Sequence, residues 1–105
     1  IRAVVFIGDA MEENPDTLCQ LAGQCGLLKL PLFLFQEGSM RTVERTFRTM
    51  AKVSGGAYAR FNAGSADMLA SLLGAVASYA AGGQTALENH AGDGARLLLK
   101  QLGPK

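Results

Sequence analysis

AVVFIGDAMEENPD, residues 3 to 16, sets the fold class. The run AVVFI (3–7) is apolar and rich in β-branched residues, the composition of a parallel strand covered on both faces. The ending is that of a helix start: Asn14 can act as N-cap, Pro15 suits the first helical position, and Asp16 favours the positive end of the helix dipole. A strand followed at once by a capped helix is the first half of a βαβ unit.

The pattern repeats along the chain. A helix near 15–25 places Leu18, Leu21, Ala22 and Cys25 on one face, with Gly26 expected to stop it. LPLFLF predicts a second buried strand near 30–35, with Pro31 tolerated at its start, and QEGS (36–39) predicts a turn. The next helix, near 40–53, turns Val43, Phe47, Met50 and Ala51 inward and ends at SGG. AYARF (57–61) is a third strand, and its Arg60 belongs at a sheet edge. Ser65 is expected to cap a helix near 66–81 that turns Leu69, Leu72, Leu73, Val76 and Ala80 inward and closes at Gly82 and Gly83. Thr85 with Glu88 forms a weak capping box for a short fourth helix, and ARLLLKQL (95–102) fits a helix or a docking strand.

This order predicts an α/β fold: a three-layer, doubly wound, Rossmann-like sheet, mostly parallel, with about three strands and three to four helices in one domain over 1–105. In sequential strand order the first and most apolar strand would have a neighbour on one side only. An apolar edge of that kind invites pairing, so a partner protein, a missing N-terminal half or a second copy is expected beside it. Residue 1 is Ile rather than Met and the strand pattern begins at once, so the chain is expected to be processed or a piece of something longer.

The totals narrow the function classes. The 105 residues carry a net charge of +1, which implies neither nucleic acid nor an acidic substrate. No apolar run approaches the ~20 residues of a membrane helix, and the N-terminal stretch makes a poor signal peptide. Cys19 and Cys25 do not face each other on a helix, and two unpaired thiols suit the cytoplasm.

Asp9 is the candidate site residue. It lies just past the first strand, where open α/β sheets bind ligands, and Glu37 and Ser39 share that rim. Asp9 has two readings: a ligand to a hard cation, or an acid that favours the following helix and faces water. Glu12, Glu13 and Glu37 read as solvated. Arg41, Arg45, Arg48 and Lys52 form a basic stripe opposite Phe47 with two readings: a dock for a polyanion or an acidic partner, or a solvated face in which Glu44 pairs with Arg48, the second being the expectation. The lone His90 reads as exposed. No Ser/His/Asp set and no Cys/His metal spacing supports catalysis.

Taken in order, VVFIGDA (4–10), LAGQCGL (21–27), LPLFLFQEG (30–38), FRTMAKVSGGAYARF (47–61) and SADMLASLLGAVA (65–77) resemble the C-terminal half of a von Willebrand factor type A domain. The resemblance implies a non-enzymatic protein-binding module and supplies the first strand's neighbour from the other half of the domain. It also implies that Asp9 is one ligand of a divalent-cation site, with Mg²⁺ or a similar ion in the full-length parent. The family's Asp-x-Ser-x-Ser motif is absent here, and Gly8 and Ala10 depart from the usual flanks, so no metal is expected in this chain alone. IGDAMEEN (7–14) is also similar to the acidic motif of haloacid-dehalogenase-like phosphatases, which implies Mg²⁺ at Asp9 with Glu13 in place of a second Asp. That family's usual ending fits the segment after SGG poorly.

Overall fold

A computed structural model describes residues 3–10, 13–62, 64 and 66–102. It contains β1 (Val4–Gly8), α1 (Pro15–Leu27), β2 (Leu32–Glu37), α2 (Arg41–Ser54), β3 (Ala57–Phe61), α3 (Ala66–Glu88) and α4 (Asp93–Leu102). The three strands are parallel in the order β1-β2-β3, an open α/β sheet of Rossmann-like three-layer form.

Strand alternation builds the two cores. Leu32, Leu34 and Tyr58 face α1 and α2, against Ala22, Val43, Phe47, Met50 and Ala51. Phe33, Phe35, Ala57, Ala59 and Phe61 face the other way, against Leu72, Ala75 and Val76 of α3 and Ala95 and Leu98 of α4. Both crossover helices lie on one face, as strands stepping in one direction require when each crossover has the same hand. β2, buried on both faces and paired on both edges, is the central strand. No helix among the described residues is long and apolar enough to cross a membrane.

The helix starts and stops refine the sequence reading. Asn14 caps α1 as expected, its side chain accepting the Asp16 N–H at 2.8 Å. Gly26 does not end α1. It is a contact residue, since a Cβ there would lie 2.2 Å from the Val53 carbonyl oxygen, so only glycine lets α1 and α2 approach this closely. The reversal falls at Lys29, φ 57°, with Leu30 N–H donating to Cys25 O and Lys29 N–H to Gly26 O. This is a Schellman ending with lysine where glycine is usual. Gln36 and Glu37 belong to β2, so the turn begins at Gly38.

The helix over 66–88 breaks at Gly83 (φ 76°, ψ −163°), so it closes at the glycine pair, Gly82 and Gly83, expected to end it; the short helix beyond starts at once, so Thr85 lies within that helix and does not cap it. The ARLLLKQL segment is helical. Its start is anchored by the Gly94 N–H donating to Ser71 Oγ at 2.9 Å. Leu21 and Leu73, expected inward, are exposed, because the helices bury narrower stripes than their apolar patterns offer. The expected Ser65 cap lies outside the described residues.

Candidate functional site

The carboxyl rim brings together fewer groups than the sequence suggested. Gly8 pairs with Gln36, so Asp9 and Glu37 each lie one step beyond that pair, at the same level. Asp9 is exposed, Glu37 half-buried and Ser39 exposed. Ser39 opens onto a different groove, of about 570 Å³, with Gly38, Arg60, Phe61, Asn62 and Met68. Glu13 borders an apolar notch of about 170 Å³ formed by Phe6, Ile7, Leu18, Phe47 and Met50. Among the described residues, no three His, Cys, Asp or Glu side chains gather as a metal site, and Glu12 lies outside that set.

The other sequence candidates also have definite places. Cys19 and Cys25 are free and half-buried. His90 is half-buried rather than exposed, its Nδ1 within 2.8 Å of Ser78 Oγ, because the α3–α4 turn folds it back over α3 beside Gly74. Arg41, Arg45, Arg48 and Lys52 are exposed, and Arg48 Nε donates to Glu44 at 2.9 Å. That hydrogen bond, followed by the charges of Arg60 and Arg41, holds Glu44 below the ordinary carboxylate range. Burial, joined by the Glu44 charge, raises the Tyr58 hydroxyl above its ordinary value.

The more telling contrast is between the two edges of the sheet. At β3 the Gln101 side chain of α4 behaves as a short neighbouring strand: its Oε1 accepts the Tyr58 N–H at 2.7 Å and its Nε2 donates to Tyr58 O. Arg60 adds a charge to the same strand, so that edge is both paired and charged. Among the described residues, β1 has no such cover. Val4 N–H donates to Pro31 O, which turns the N–H and C=O of Val5 and Ile7 away from β2, toward the open side. Phe6 and Ile7, on opposite faces of β1, are 42% and 50% exposed.

A second polar device supports the rim. Gln36, fully buried, donates to Met40 O at 2.9 Å and accepts the Tyr58 hydroxyl, tying β2, β3 and the start of α2 together. Neither glutamine was legible as functional. An amide carries no local sequence signal for a partner 43 residues away, as Gln101 and Tyr58 are. Comparison with protein-family models, curated proteins and solved structures finds no match for this chain.

Proposed function

We propose that this chain is a non-enzymatic protein-binding module that presents the open edge of β1 to a strand supplied by another polypeptide segment. One observation carries the reading: a single sheet has one edge sealed by Gln101 and the other left bare, apolar and uncharged over Val4–Gly8. Natural sheets blunt edges that are not meant to pair. Five of the eight most exposed large apolar side chains among the described residues (Phe6, Ile7, Leu21, Leu27 and Leu28) also belong to β1, α1 and the end of α1.

On the resemblance to von Willebrand type A domains, the pairing strand comes from the N-terminal half of such a domain. Asp9 then contributes to a site for Mg²⁺ or another divalent cation that the other half completes. A second copy joined through β1 is the alternative occupant. The two free thiols favour a reducing compartment, the cytoplasm.

The reading is tested with a fluorescein-labelled peptide of the β1 sequence, IRAVVFIGDA, titrated by anisotropy. Saturable binding that Ile7→Lys abolishes is expected, because a charge on the open edge opposes strand addition. Equal binding by the variant would count against the open-edge reading, and absence of saturable binding would exclude a second copy of β1 as the occupant.

A further inference from the structure

We propose that the outer face of α2 and the adjoining end of β3 form a docking surface for an acidic segment of a partner protein. The surface is separate from the β1 edge and does not depend on the reading given there. The sequence has ten Lys and Arg, and five of them lie on this flank: Arg41, Arg45, Arg48, Lys52 and Arg60. The first four run down the exposed side of α2. Arg60 joins them because strand alternation puts it on the same sheet face as Tyr58, which packs against α2.

Among the described residues Glu44 is the one carboxylate on the exposed side of α2, and Arg48 already holds it at 2.9 Å. Among the described residues the other ion pair is Arg96–Asp93 on α4, so Arg41, Arg45, Lys52 and Arg60 have no carboxylate within ion-pair distance. A chain of net charge +1 thus concentrates four uncompensated cations on one side. Arg41 with Arg45 and Arg48 with Lys52 are like-charge pairs at four residues, a spacing that opposes helix formation.

The surface is shaped as well as charged. Arg41, Glu44, Arg45 and Arg48 line a shallow groove of about 440 Å³. The Arg48 guanidinium is held between Glu44 and the Tyr58 ring, 4.5 Å from the ring centroid. An arginine already ordered loses little freedom on binding, and guanidinium forks match carboxylates in a bidentate way. Single-stranded nucleic acid would need an exposed aromatic platform, and the aromatics beside these cations, Tyr58 and Phe61, are buried at 3% and 8% exposure. The chemistry favours Asp- and Glu-rich protein.

The test uses the whole chain and a labelled oligoglutamate peptide, with anisotropy read at low and at physiological salt. Binding is expected at low salt and weakens as salt rises. The combined variant Arg41→Gln, Arg45→Gln, Arg60→Gln should bind about tenfold more weakly, ~1.4 kcal/mol. The control Lys29→Gln, Arg96→Gln, which removes cations elsewhere, should bind as the parent does. Circular dichroism verifies that both variants are folded. Equal weakening by the two variants, no binding at low salt, or tighter binding of an oligouridylate of matched charge would overturn the proposal.

Discussion

Gln101 shows how one side chain can decide what an edge does. Its amide supplies the donor and the acceptor that a fourth strand would offer Tyr58. Gln101→Ala strands a partly buried N–H and C=O, so a loss of about 1–3 kcal/mol is expected by denaturant unfolding. The same variant should speed exchange of the Tyr58 amide; unchanged exchange would mean that the contact is not held in solution. Lys29 is the opposite case, a residue that tolerates its place. Its left-handed backbone (φ 57°) disfavours any residue with a Cβ, so Lys29→Gly should raise stability by up to about 1 kcal/mol. A destabilised Lys29→Gly protein would show that the helix ending is drawn wrongly.

At the scale of elements, legibility followed the locality of the signal. α2 could be read closely because its inward residues and its glycine ending are all encoded within one amphipathic stretch. The end of α1 was misread because Gly26 was taken for a conformational stop, whereas its role is a contact with Val53 on another helix. Gln36 was read as a turn residue because polarity there argues for a loop until its two partners are known. α2 also carries a pH-dependent contribution. Glu44 has its folded pKa lowered from 4.5, chiefly by the Arg48 hydrogen bond. Its contribution is therefore full above 4.5 and lost as pH falls through the lowered folded value. The stability difference between the parent and Glu44→Gln should shrink below pH 4.5, and a constant difference through that range would reject the pair as its source.

At the scale of the molecule, the α/β class, the parallel sheet and the edge position of β3 all followed from hydrophobic pattern and one charged residue, Arg60. The candidate site was legible only as a position. Asp9 does reach the rim, but the described residues bring it no set of co-ligands, and sequence order could not reveal that Ser39 would open onto another groove. What the sequence anticipated in outline, and the structure sharpened, is the asymmetry of the sheet: one edge answered from within the chain, one left to be answered from outside. Residue-resolved amide exchange tests this most directly. In the chain alone, Val5 and Ile7 should exchange fast, and Val4 and Phe6, turned toward β2, slowly. Addition of the β1-sequence peptide should slow Val5 and Ile7 toward the rates of their neighbours and leave Tyr58 unchanged. Fast exchange of Val5 and Ile7 that persists at saturating peptide would contradict the account.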